Sequence, residues 1–198
     1  MMTPDTRPSL LMRVKNPRDR EAWEEFVQIY QPVIIRMGRY RGMQAADTED
    51  LAQQVLLAVA GAIERWEPGE DRAKFRTWLR RITTNAILNA LTRGIPDIGT
   101  GNADIQSLLE QQPDENEADS QLLATEYRRE VFQWAARLIR PEFSDDTWNA
   151  FRVTAVEGMD AESAAKHLGR SRGSIYASRS RIMKRLKEKV SEYVDDDT

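Results

Sequence analysis

The chain has 198 residues, no cysteine and one histidine, and its 29 Lys+Arg against 32 Asp+Glu give a net charge of −3. A disulfide framework and a thiolate metal site are excluded, and His167, read as a helix-surface or partly buried residue, cannot build a histidine site, so no metal and no cofactor are expected. No apolar run approaches the ~20 residues needed to cross a bilayer, and the N-terminus lacks a long apolar signal stretch; a soluble, cytoplasmic protein without membrane insertion is expected.

The charge is unevenly spread. Residues 1–93 carry 15 basic and 12 acidic side chains, residues 94–126 carry no basic and 8 acidic ones, and residues 127–194 carry 14 basic and 9 acidic ones. Two basic blocks therefore flank an acidic strip, and for nucleic acid the local field matters more than the total.

Helix-period apolar spacing is common and strand-like alternation is scarce, so the fold is expected to be all-α. In chain order, Asp19 to Tyr30 reads as one helix, with Ala22, Trp23, Phe26, Val27 and Tyr30 on one side. Pro32 is placed to begin a second helix through Val33, Ile34 and Met37. Asp47 to Trp66 reads as a long third helix with Asp47 or Thr48 as N-cap, Glu49 and Asp50 at the positive end of its dipole, and Leu51, Val55, Val59, Ala62 and Trp66 toward the core. Asp50, Gln53, Leu57 and Gly61 fall on its opposite side, where an apolar Leu57 among polar neighbours points to a protein partner. Glu49 and Asp50 form no catalytic pair, because no further catalytic group accompanies them.

Lys74 to Arg93 reads as a fourth helix. Phe75, Leu79, Ile82 and Ala86 form its core stripe. Arg76, Thr77, Arg80, Arg81 and Thr84 form another face bordered by Trp78. Cations, hydroxyls and an indole on one surface suit a nucleic-acid strand, with arginine on phosphate and the aromatic face stacked on an unpaired base; the same indole also suits a core. These four helices form a first domain over residues 7–93, with Trp23, Trp66, Phe75 and Trp78 as its large pieces.

Residues 94–119 contain three glycines, two prolines and seven acids. Such a segment repels itself and stays extended, so it reads as a flexible acidic linker, with a short helical turn over Ser107 to Gln111. It is also expected to weaken binding of the free protein to random DNA. A second domain follows over residues 120–191, with helices at 120–139, 144–157, 160–168 and 171–191, and then a disordered acidic tail, 192–198.

Within it, Ala165, Gly169 and Ile175 have the spacing of a helix-turn-helix. Ala165 is small where the second helix crosses, Gly169 sits at the turn, and Ile175 anchors the second helix. On that helix Ile175, Ile182, Met183 and Leu186 gather on one face, and Gly173, Ala177, Ser180, Arg181 and Lys184 on the other. Residues 170–189 hold eight basic side chains and one acid. A face that is small at its start and basic further on lets a helix sink into the major groove and reach phosphate or guanine.

Three of these segments, in this order, resemble bacterial RNA polymerase sigma factors of the extracytoplasmic-function class over about residues 9–191. DTEDLAQQVLLAV resembles the segment that docks on the clamp helices of the polymerase β′ subunit. FRTWLRRITTNAILNAL resembles the segment that reads and melts the minus-ten element. EGMDAESAAKHLGRSRGSIYASRSRIMKRLKE resembles the helix-turn-helix that reads the minus-thirty-five element.

The resemblance implies polymerase contacts at Asp50, Leu51, Gln53, Gln54 and Leu57. It implies minus-ten contacts at Arg76, Thr77, Trp78, Arg80, Arg81, Thr84 and Asn85. It implies minus-thirty-five contacts at Arg172, Gly173, Ser174, Tyr176, Ala177, Arg179, Ser180, Arg181 and Lys184. The implied partners are core RNA polymerase (β′ clamp helices and β flap), promoter DNA and an anti-sigma factor, and the implied role is non-enzymatic. Two positions depart from the family: Gln54 replaces a usual glutamate, and Tyr176-Ala177-Ser178 replaces a common Lys-Ser-Arg stretch. The alternative reading is a dimeric helix-turn-helix regulator that binds a palindromic operator without polymerase.

Overall fold

The computed structural model describes residues 8–66, 75–93 and 117–191. Every regular element among them is helical, so the fold is all-α. The chain divides into two compact units between Glu130 and Val131.

The first unit begins with α1 (Pro8–Val14), a short helix whose Leu10, Leu11 and Val14 are buried at a spacing of three to four residues. The next helix, α2, runs unbroken from Arg20 to Tyr40. Its N-cap is Asp19, which accepts a 3.0 Å hydrogen bond from the Ala22 N–H and an ion pair from Arg13 at 2.9 Å. The sequence places a helix start at Pro32, yet the proline lies inside α2. A proline there forfeits a backbone hydrogen bond and normally disrupts a helix. Here Ile29, Tyr30, Val33 and Ile34 on either side of it are all at most 1% exposed, and burial of that stripe outweighs the local penalty.

The third helix, α3, spans Ala45–Ala62 and continues as a 3₁₀ turn over Ile63–Arg65. It starts two to three residues before the expected caps. The N-cap position is Gln44, without a side-chain cap, and the Thr48 hydroxyl instead donates to the Ala45 carbonyl at 2.7 Å. Gly38 of α2 lets α3 approach closely, since a Cβ there would lie 2.9 Å from Thr48 Cγ2 and 3.1 Å from Leu51 Cδ2. The fourth helix, α4 (Phe75–Arg93), buries the whole expected stripe of Phe75, Leu79, Ile82 and Ala86.

The centre of this unit is aromatic. Phe75 has ring centroids of Phe26, Tyr30, Trp66 and Trp78 at 5.8, 5.6, 5.5 and 5.5 Å. Of the four large residues expected in the core, Phe75 is fully enclosed, whereas Trp23, Trp66 and Trp78 are half-buried. Tyr30 and Phe26 fill the space instead.

A long helix, α5 (Glu117–Ile139), carries the chain from the first unit to the second. Its residues up to Glu130 belong to the first unit, where Tyr127 stacks on Tyr30 with ring centroids 5.5 Å apart. Residues 120–130, expected with the C-terminal domain, thus pack on α2 and α4. The Ser107–Gln111 turn, most of the acidic linker and the acidic tail lie outside the described residues.

In the second unit, α6 (Asp145–Phe151) starts at Ser144, whose hydroxyl accepts from the Thr147 N–H, and passes into a π-helical turn over Arg152–Val156. The motif helices α7 (Ala161–Leu168) and α8 (Arg172–Ser191) follow. Ala150, Val153, Ala164, Ala165 and Ile175 form one buried cluster, supported by Met159, Ala161 and Leu168.

Candidate nucleic-acid interface

The helix-turn-helix is built as its spacing dictates. Asp160 caps α7 by accepting from the Glu162 and Ser163 N–H groups at 2.9 and 3.0 Å. Gly169 closes α7 in the left-handed region at φ 62°, which a side chain would strain. Ser171 then accepts from the Ser174 N–H at 3.2 Å at the start of α8.

The α8 helix is divided as a groove-reading helix requires. Ile175, Ile182 and Leu186 are buried. Arg172, Gly173, Tyr176, Ala177, Arg179, Ser180, Arg181 and Lys184 are exposed. Met183, expected toward the core, is 44% exposed, at the edge of the buried stripe. Ser174 is half-buried and occupied, because Arg170 Nη2 donates to its hydroxyl at 2.5 Å while Arg170 Nη1 donates to the Asp146 carbonyl at 2.8 Å. Arg170 is therefore a positioning residue that ties the motif turn to α6. Arg185 is likewise committed, holding Glu142 through bonds of 2.6 and 2.8 Å, and its guanidinium keeps the Glu142 carboxyl below the usual carboxylate range.

The Asp160 carboxyl also sits below its ordinary pKa, through the hydrogen bond of the Ser163 hydroxyl and then the backbone N–H groups it caps. A carboxyl with a depressed folded-state pKa contributes stability above its unfolded pKa and loses it as pH falls through the folded value. Asp160→Asn keeps an accepting oxygen but no charge. The parent is expected to melt higher than this variant at neutral pH, with the gap closing in acid below the ordinary aspartate range. Thermal melts across pH check this, and a gap independent of pH would remove the charge from the cap's role.

In the first unit, α4 carries the other candidate residues. Thr77 is exposed, while Arg76, Trp78 and Arg81 are half-buried. Arg80 and Thr84 are both 6% exposed, and Asn85 is 1% exposed. Arg76, Arg80 and Thr84 follow one another at four-residue intervals, and the first half of α5 meets the first and last of them. The Arg76 guanidinium lies 5.3 Å from the Tyr127 ring centroid. Thr84 donates to Asp119 Oδ2 at 3.4 Å.

Two arginines of the α2 end join this face. Arg41 holds Asp119 through both oxygens at 3.2 and 2.5 Å, and Arg36 pairs with Glu126 and Glu130. Asp119, Glu126, Tyr127 and Glu130 were not singled out in the sequence. Their signal was there, since Asp119, Glu126 and Glu130 fall within about 40° on a helix of 3.6 residues per turn.

On α3, Asp50, Gln53 and Leu57 are exposed and Gln54 is half-buried, whereas Leu51 is fully enclosed in the core. Leu57 is 49% exposed among polar neighbours. Among the described residues no group of His, Cys, Asp and Glu could hold a metal ion, and no helix is long and apolar enough to cross a membrane.

Comparison with known proteins places these elements. Residues 26–94, which cover most of α2 and all of α3 and α4, match the sigma-70 region 2 family. The extracytoplasmic-function RNA polymerase sigma factor SigE of Mycolicibacterium smegmatis is 27% identical over 164 residues, 81% of this chain and 57% of that protein. The chain therefore spans somewhat more than half the length of that curated relative. Residues 26–94 thus match sigma-70 region 2, and most of the chain is similar to an extracytoplasmic-function RNA polymerase sigma factor, which supports the resemblance carried by the three motifs in their order.

Proposed function

We propose that this chain binds core RNA polymerase in the cytoplasm and directs promoter-specific initiation, with no enzymatic activity of its own. The α8 face of Arg172, Gly173, Tyr176, Ala177, Arg179, Ser180, Arg181 and Lys184, with Ser174 behind it, serves the minus-thirty-five element. The α4 face of Arg76, Thr77, Trp78, Arg80, Arg81, Thr84 and Asn85 serves the opened minus-ten element. The α3 surface of Asp50, Gln53, Gln54 and Leu57 serves the polymerase, with Leu51 setting its position from the core. The functional domains are residues 7–93, with residues 117–130 packed against them, and residues 131–191, and the tether is the segment 94–116.

The observation that carries this reading is the division of α8, whose Ile175, Ile182 and Leu186 are buried while its small and cationic residues stand outward behind a positive-φ glycine turn. Neither cationic surface needs to bind tightly alone. A polymerase that holds both raises the effective concentration of the second contact once the first forms.

Gel filtration of the purified chain with a bacterial core polymerase tests the partner. Co-elution is expected, and Leu57→Asp is expected to weaken it about tenfold or more by placing a charge at an apolar contact. A chain that elutes apart from polymerase, as a dimer that protects a palindromic duplex, would support the stand-alone regulator instead.

A further inference from the structure

We propose that the first half of α5 is a removable acidic cover, which lies on the cationic face of α2 and α4 and is displaced when single-stranded nucleic acid takes that face. The proposal rests on the reading of α4 as the helix that meets opened DNA. It adds that the free protein holds this helix closed.

The contacts are of one chemical kind. Asp119, Glu126 and Glu130 project from one side of α5, and their side chains are 3%, 14% and 4% exposed. Glu126 and Glu130 meet Arg36 of α2, and Asp119 meets Arg41 at the C-cap of α2 and receives the Thr84 hydroxyl of α4. A carboxylate offers a guanidinium the same pair of anionic oxygens that a phosphate does. Tyr127 lies against Arg76 as an unpaired base would lie against a guanidinium plane. The cover thus occupies, with acids and an aromatic ring, the donors and faces that a nucleic-acid strand would use, so the two compete.

Among the described residues the closed arrangement also leaves an Arg80 donor unmatched. Arg80 is 6% exposed, and its Nη1 has no hydrogen-bond partner among the described residues. A buried cation without a counter-charge is unfavourable. A phosphate chain following α4 would pass Arg80 between Arg76 and Thr84 and supply that counter-charge. The cover is accordingly a good fit to the rim of the face and an incomplete one at its centre, which is what a displaceable inhibitor requires.

The test uses the full chain and an oligothymidylate of about 12 nucleotides, within the usual site size for single-strand binding. Glu126→Gln combined with Glu130→Gln removes the pairs with Arg36 and leaves every α4 residue in place. If the open state is a minor one in the parent, its release raises apparent affinity by the inverse of its population, about tenfold for a cover closed nine-tenths of the time. Fluorescence anisotropy reads this change, and an affinity equal to or below that of the parent, absence of binding by both included, overturns the proposal. Should the double variant fail to fold, hydrogen exchange on the unmodified chain decides. Amides of residues 117–130 are expected to exchange faster with oligonucleotide present, and unchanged or slower exchange overturns the cover. Initiation by parent and variant with core polymerase is scored separately. Its loss in both refutes the promoter reading, while the anisotropy and exchange results judge the cover alone.

Discussion

Replacing Phe75 with alanine is expected to destabilise the first unit by about 3–5 kcal/mol, the range for deleting a buried aromatic ring. Phe75 is 1% exposed and touches rings contributed by α2, by the segment after α3, and by its own helix. Its loss leaves a cavity that four rings border, and edge-on aromatic contacts worth about 0.5–1.5 kcal/mol each disappear with it. Urea denaturation of the parent and variant checks this, and a loss below about 1 kcal/mol would show that the ring is not the keystone. Trp78 gives the contrast. It borders the same cluster but is half-buried, so Trp78→Ala is expected to cost less stability while impairing promoter opening. A large stability loss with initiation retained would make Trp78 purely a core residue.

The second large effect is expected at Arg181. This residue is exposed on the outward face of α8, one turn from Ala177 and three residues before Lys184. Arg181→Ala is expected to weaken binding to the recognised duplex by about 1–3 kcal/mol if the guanidinium reads a guanine. Stability should change by no more than about 0.5 kcal/mol, as for other surface positions. Lys184→Ala is expected to behave differently, weakening every sequence alike and lowering the salt slope by about 1, as a phosphate contact does. Salt-dependent binding to matched and mismatched duplexes separates the two. Affinity unchanged in both variants would reduce the basic face to a solvated surface.

The legibility of this chain varied with the range of the interactions involved. The stripe of Phe75, Leu79, Ile82 and Ala86 and the turn at Gly169 were legible because helix period and left-handed glycine are local properties. Pro32 was misread because its local preference for a helix start was overruled by burial of Ile29, Tyr30, Val33 and Ile34 around it, which is a tertiary effect. The short α1 escaped notice because seven residues carry too little periodicity to stand out. Leu51 was legible as a core residue from the helix period, and it is fully enclosed, although it lies in the contact segment by resemblance.

The helix expected at 120–139 is present as part of α5, but its packing on the first unit is not legible in the sequence. A compositional boundary at residue 119 concealed that Asp119, Glu126 and Glu130 share a helix face, and no local rule pairs them with Arg36 and Arg41, some 80 to 90 positions earlier. The acids that give the chain its negative balance are therefore partly structural, neutralising cations within the same unit. Net charge alone would have argued against nucleic acid for the wrong reason.

The proposed function requires that two cationic helical surfaces act together when a polymerase holds them. Adding the purified chain to bacterial core polymerase and mapping transcript 5′ ends on genomic DNA tests that claim most directly. New start sites are predicted, each preceded by a shared pair of elements at constant spacing, and lost with Arg181→Ala. Start sites identical to those of core polymerase alone would contradict it.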